Sequence, residues 1–289
     1  MGRWSSMVSM LVKENLVPGG FPREPEGSAV MDGGDQVEAW HRQGDDDGPI
    51  KPVYYLSARA CSRLTPTGGT VIDLGCGTGR FAAYLARLRP DIRVVGLDLS
   101  MPMIETGNTA IRLARLDDRV ELREGDMTQF ASLIPRQTTL IHSLFAVHHL
   151  PSLHEVRLCL GQIREASEKS GCGFFVFDLA RPRHKSTSTH YPRALSPDAP
   201  SVFQADSTNS LAAAYRYDEL KAAFTAVFGG ITVQSVHSRL LPLYQAYWWL
   251  GPANSGRSEA GPMTRGEVLQ GVARRQYAAL RSVLPGLPQ

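Results

Sequence analysis

Three glycines at alternate positions, Gly75, Gly77 and Gly79, follow directly on an apolar run in the stretch VIDLGCGTGRF. Glycine after a strand lets the backbone pass close to a ligand, and a helix starting near Arg80 aims its free N–H groups at the same spot. This is the pattern of a nucleotide-like cofactor site. The spacing separates two cofactors. A dinucleotide fingerprint wants G-x-G-x-x-G, whereas here the third glycine comes one residue early and Arg80 stands where that pattern needs glycine. The second strand ends in VVGLDLS, which puts Asp98 beyond the carboxyl edge of the neighbouring strand, where its two oxygens suit the hydroxyls of an unphosphorylated ribose. Asp73, just before the glycines, opposes a pyrophosphate and suits an ammonium group. Together these residues ask for a nucleoside with a cationic end.

The elements that must position them alternate. Apolar runs TVIDL, RVVGLDL, RVELREG, TTLIHSL and GFFVFDL read as strands, and the segments between them have helical period and length. Such β-α repetition predicts a parallel sheet covered on both faces. Ser100 before MPMIETGNTAIRLARL, and the SLHE capping box at Ser152–Glu155, mark helix starts. Two further runs, ITVQSVHSRL and PLYQAYWWL, close the sheet. Residues 1–35, rich in Gly, Pro and charge, read as a flexible leader, and residues 36–250 as one domain with cap helices over 36–66. Within it, residues 180–210 carry Ser, Thr, Pro and His without clear period and read as a long connection. Residues 251–289 are a linker and a C-terminal helix opened by the capping-box pattern TRGE at Thr264–Glu267.

Composition narrows the partners. The 289 residues carry a net charge of +3, with 43% hydrophobic and 20% charged residues, and the basic ones are scattered. No phosphate-tracking surface is expected, so a nucleic acid is not an expected partner. The four cysteines form no C-x-x-C pair, which fits a reducing, cytoplasmic setting. No run approaches the roughly eighteen apolar residues of a membrane span, so no membrane association is expected. The acids and histidines lack H-E-x-x-H spacing or a facial cluster, and no metal is expected.

Four motifs in order, VIDLGCGTGRF, GLDLS, EGDM at Glu124–Met127 and SLFAVHHLP, resemble the class I S-adenosylmethionine-dependent methyltransferases. The resemblance is close over residues 70–180 and reaches residue 250 in element order. It implies an α/β fold: a Rossmann-like doubly wound, seven-stranded, mostly parallel sheet with helices on both faces and an antiparallel last strand. It implies S-adenosylmethionine as cofactor and S-adenosylhomocysteine as product. The glycine loop, Gly75, Gly77 and Gly79, then passes the methionine part, with Cys76 as a small loop residue and Asp73 orienting the loop or the amine. Asp98 with Leu99 holds the ribose, and Asp126 with Met127 meets the adenine, with Leu144 on the same rim.

Methyl transfer from a sulfonium needs a nucleophile in line, and a base only for a hydroxyl or protonated amine. His148 and His149 stand at the edge of the fourth strand and are the candidates, against a pocket-lining role. His142 alternates into that strand as a core histidine. The acceptor pocket is expected from Trp40, Tyr54 and Tyr55, from the loop after Asp178 with Arg181, and from Asn209. The basic residues of ARPRHKSTSTHYPR either clamp an acidic substrate or form a solvated loop, and the aromatics of YQAYWWL pack as an edge strand. The stretch DSTNSLAAAYRYDEL is similar to one in uncharacterised bacterial methyltransferases, which points to a small-molecule enzyme. SLFA stands where nucleic-acid and protein amide methylating relatives carry [DN]-P-P-Y. The expected activity is methylation of an O or N atom of a small metabolite. The rivals are a methyltransferase for a peptide or protein, and a non-catalytic cofactor-binding or partner-binding protein of the same fold.

Overall fold

All five residues of β1 (Thr70–Leu74) are buried, so this strand has no solvent face and must be covered on both sides. The computed structural model describes residues 3–27, 41, 50–197, 199–254, 263 and 269–288. β1 lies between β2 (Arg93–Asp98) and β4 (Thr138–Leu144), with β3 (Val120–Glu124) outside β2. Beyond β4 come β5 (Gly173–Leu179), β7 (Tyr244–Trp249) and β6 (Gln234–His237), giving the order β3-β2-β1-β4-β5-β7-β6. The first five strands are mutually parallel, and β7 runs antiparallel to both neighbours. Strand order therefore reverses between β1 and β4, and the crevice at their carboxyl ends is where open sheets of this kind take a ligand.

The helices are α1 (Arg3–Leu16), α2 (Lys51–Leu64), α3 (Arg80–Leu88), α4 (Met101–Leu113), α5 (Leu153–Ser170), α6 (Lys185–Leu195), α7 (Ser201–Ala213), α8 (Tyr217–Val227) and α9 (Gly271–Val283). Successive residues of β5 divide between two cores: Phe175 and Phe177 pack with Leu56 and Leu85, Phe174 and Val176 with Ile72 and Phe228. Each buried ring of this kind contributes about 1.5–3 kcal/mol over its exposed state. α4 begins as expected, with the Ser100 hydroxyl accepting from Met103 N at 3.3 Å. α5 begins with the Ser152 hydroxyl accepting from His154 N at 3.1 Å and paired with Glu155.

Four expectations are corrected. The leader is not without structure: α1 spans Arg3–Leu16, and the chain continues to residue 27 against the body of the protein. The connection over 180–210 folds into α6 and most of α7. Its buried face is Thr187, Ser188, Tyr191 and Pro192, so the hydrophobic period is missing from a helix that is nonetheless packed. The start of α6 is also capped from afar: the buried Glu14 carboxylate accepts from Arg183 N at 2.8 Å, His184 N at 3.1 Å and Thr187 Oγ1 at 2.5 Å. β7 is interior, between β5 and β6, so its aromatics do not belong to an edge strand. The C-terminal helix begins at Gly271; the expected box at Thr264–Glu267 lies outside the described residues, as does most of the helix expected around Trp40.

Candidate active site

The glycine loop extends β1 across to β2, with Gly75 N and Cys76 N both donating to Leu97 O, at 2.8 and 3.1 Å. All three loop glycines are left-handed, at φ +68°, +54° and +67° for Gly75, Gly77 and Gly79. They are bare for different reasons. A Cβ on Gly75 would run into Ala146 Cβ, and one on Gly79 into the Leu122 side chain, so these two serve close packing. A Cβ on Gly77 would meet nothing nearer than Met103 Sδ at 3.9 Å, so its bare backbone faces open space in the cleft. Cys76 lines the cleft as well, and burial pushes its thiol well above the usual range.

The acids differ in what holds them. Asp98 Oδ2 accepts from Gly77 N at 2.7 Å and Oδ1 from Ser100 N at 2.9 Å, so this carboxylate props the loop as well as facing the cleft. Burial raises its pKa, against the pull of those two N–H groups. Asp73 is paired across strands: β1 and β4 set it opposite His142, whose Nδ1 lies 2.8 Å from Asp73 Oδ1. His142 is fully buried between Phe81 and Phe175, with ring centroids at 4.4 and 5.8 Å. Asp126 spends its Oδ1 on Thr128 N and Oγ1, both at 2.7 Å, while its neighbours Gly125 and Met127 line the cleft. Leu99 and Leu144 line it too. Next to Leu144, Phe145 holds a left-handed φ of +55°, a conformation that costs a non-glycine residue about 1–3 kcal/mol and tends to persist at functional sites.

The two histidines are each held by a carboxylate. Asp178 accepts from His148 N at 2.9 Å and lies 2.6 Å from its Nδ1. Glu26 lies 2.6 Å from His149 Nδ1 and accepts from the Ser210 hydroxyl at 2.8 Å. The rings lie against one another, centroids 4.2 Å apart. Burial alone would lower the His149 imidazole, yet the Glu26 carboxylate outweighs it and the pKa is raised; Glu26, which burial works to raise, is drawn down to about 2 by His149. Sequence reasoning missed Glu26 because it lay in the supposed leader. The arm carrying it is locked by Arg23, whose guanidinium donates to the carbonyls of Ala213, Pro151, His148 and Leu150 and lies 4.0 Å over the Tyr215 ring. A facial cluster of Glu26 with both histidines thus exists in space, contrary to the sequence reading, and its Nδ1 atoms are already paired with carboxylates.

Of these groups, Asp73, Gly77, Asp98, His148 and His149 line one cleft of about 600 Å³. Of the residues expected to hold the acceptor, Tyr54 lines it, with burial and Asp73 pushing its phenol pKa up. Tyr55 instead packs on Tyr277 at 5.0 Å, and Asn209 is exposed on α7. Arg181 is buried away from the cleft wall, donating to Ala214 O and Glu219 Oε1, both at 3.0 Å. Trp40 lies outside the described residues. Unforeseen are the walls from both chain ends: Met7 and Leu11 of α1, and Gln276, Ala279, Leu280 and Val283 on one face of α9. Tyr191 of α6 and Tyr244 of β7 also line the cleft, their hydroxyls 3.1 Å apart.

Residues 71–171 match the family model described as a methyltransferase domain. Over that stretch the chain is similar to a methyltransferase domain. Similar proteins include carboxy-S-adenosyl-L-methionine synthase of Desulfotalea psychrophila, 37% identical over 97 residues that make up 32% of this chain and 40% of that protein. The release factor glutamine methyltransferase of Rhodopirellula baltica is 30% identical over 89 residues, 31% of this chain and 28% of that protein. The chain thus spans well under half the length of the curated relatives it matches. Among solved structures, the plantazolicin methyltransferase BamL with a desmethylplantazolicin analogue and S-adenosylhomocysteine has a TM-score of 0.56 at 13% identity, over 85% of this chain and 96% of that one. A putative methyltransferase of Methanococcus maripaludis has a TM-score of 0.52 at 20% identity, over 78% of this chain and 96% of that one. The shared fold is that of the class.

S-adenosylmethionine is the cofactor of such domains, and the residues of this one fit it. Open space over Gly77 would admit a ligand against bare backbone, Asp98 and Asp73 line the cleft where acids would meet a ribose and an ammonium, and Met103 and Met127 would give apolar wall to a base. No helix among the described residues is long and apolar enough to cross a membrane.

Proposed function

We propose that this methyltransferase moves the methyl group of S-adenosylmethionine to an oxygen or nitrogen atom of a small metabolite. One observation carries the reading: the cleft is continuous from Gly77 and Asp98, past His148 and His149, to walls supplied by α1, α6, α7 and α9. A space of about 600 Å³ shared by cofactor and acceptor suits a small molecule better than a protein surface. The cofactor supplies a methyl carbon activated by its sulfonium, and the C–S electrons remain on sulfur as the new bond forms. The chain must then hold the acceptor in line, which can contribute about 7–11 kcal/mol, and must accept the proton of a hydroxyl or protonated amine. His149 is suited to that step: with its Nδ1 paired to Glu26, Nε2 is the atom left to take a proton from the acceptor. His148, fixed by Asp178, gives the second ring its platform.

The test is calorimetry with S-adenosylhomocysteine, followed by a methyl-transfer assay over a panel of hydroxylated and amino metabolites with product mass read for one added methyl. Binding with turnover of a small acceptor is the expected result. Binding with no product across the panel moves the reading to a non-catalytic protein of this fold. Labelling of peptides alone moves it to the second reading, which the relatives named for a release factor and for plantazolicin keep in view.

A further inference from the structure

Resting on that reading, we infer that the acceptor is an uncharged, largely hydrocarbon molecule presenting a single hydroxyl, held in a chamber roofed by both ends of the chain. Among the described residues, the acids and bases that line the cleft, apart from the two histidines, are Asp73, Arg80 and Asp98, and all three stand at the glycine-loop end. Past His149 the walls are Met7, Leu11, Leu195, Phe203, Leu241 and Leu280, drawn from five separate elements of the chain. Five elements converging on one apolar space make a chamber rather than a chance groove.

Three cations of the basic segment that would clamp an acidic acceptor are engaged elsewhere. Arg181 pairs with Glu219, Arg183 donates to Glu14 O at 3.1 Å, and Lys185 holds both oxygens of Glu24 at 2.5 and 2.7 Å. An ionised acceptor would leave water for walls that offer it no counter-charge, which disfavours it strongly. Polar reach into the chamber comes from neutral groups: the hydroxyls of the Tyr191–Tyr244 pair, whose pKa values burial raises, those of Ser207 and Ser210, and the Gln276 amide. Such groups recognise a hydroxyl or carbonyl without demanding a charge. The rim is apolar as well. Asn15 Nδ2 donates to Leu240 O at 2.7 Å, setting the exposed Leu240 against the end of α1, where Val12 and Leu16 are also exposed.

The experiment uses the full chain. Affinity for S-adenosylhomocysteine is measured first by calorimetry, then the loaded protein is titrated with para-octylphenol, with para-octylbenzoate as its ionised counterpart, and with phenol. We expect para-octylphenol to bind more than ~10-fold tighter than either of the others, a difference of about 1.4 kcal/mol. Leu241→Asp should cost para-octylphenol on the order of 10-fold while leaving the cofactor-product affinity within about 2-fold. Leu280→Asp, on a helix with no fully buried residue, should do the same without threatening the core. Equal or tighter binding of the benzoate, or indifference to both substitutions, overturns the inference while methyl transfer stands. Failure of S-adenosylhomocysteine to bind overturns the methyl-transfer reading and this inference with it.

Discussion

Glu26, from an arm before the first strand, lies 2.6 Å from Nδ1 of His149, just after the fourth. The pair is an ion pair over a defined pH range. Glu26 is depressed from 4.5 to about 2, so its contribution is present above its unfolded value and lost as pH falls through the folded one. His149 is raised from 6.5, so its contribution is full below that value and lost as pH rises through the folded pKa. Both are in place between about pH 4.5 and 6.5. Glu26→Gln should therefore cost about 1–3 kcal/mol in urea unfolding at pH 6, and less at pH 9. Asp178, Asp206 and Asp98 also act on this imidazole, so its pKa should fall only part of the way back. If His149 accepts the acceptor's proton, the acid limb of the activity profile moves to lower pH in Glu26→Gln; an unmoved limb would remove His149 from that role.

Asp98 has two tasks, and two substitutions separate them. Asp98→Ala removes the acceptor for Gly77 N and Ser100 N together with a charge that lines the cleft, and should raise the Kd for S-adenosylhomocysteine more than ~10-fold, about 1.4 kcal/mol or more. Asp98→Asn retains one acceptor oxygen and should lose less. Equal losses in calorimetry would mean that the charge alone matters.

Gly75→Ala and Gly77→Ala should fail in different ways. Both place a Cβ on left-handed backbone, at about 1–2 kcal/mol. Gly75→Ala adds a collision with Ala146 worth about 1–3 kcal/mol more, and should show the larger drop in Tm. Gly77→Ala should fold and lose cofactor affinity, since its methyl enters the open cleft.

Glu14→Ala should free the N-terminal arm. Arg183 N, His184 N and Thr187 Oγ1 lose their shared acceptor, at about 1–3 kcal/mol. Trypsin should then cut after Arg23 faster than in the wild type. An unchanged cleavage rate would mean that the contacts of Arg23, Glu24 and Glu26 hold the arm without Glu14.

The glycine loop, the acid after β2 and the alternation of strands were legible because each is a local pattern: a period, a spacing, a turn chemistry. Asp126 shows where local pattern stops, since its motif position could be read from the letters while the engagement of its Oδ1 in the Thr128 turn could not. Arg181 shows the same: its charge could be read from the letters, but its partner Glu219 could not.

The sequence by itself determined a doubly wound sheet and a cofactor crevice at the end of β1, because hydrophobic alternation and glycine freedom act over a few residues. Only the tertiary structure decided what closes the crevice. α6 carries a buried face of Thr, Ser, Tyr and Pro and takes its cap from Glu14, and Glu26 reaches His149 from the other side of the glycine loop in the chain. A carboxylate pairing with an imidazole or an open helix end needs only a short distance in space, and such pairings leave no period in the order of the residues.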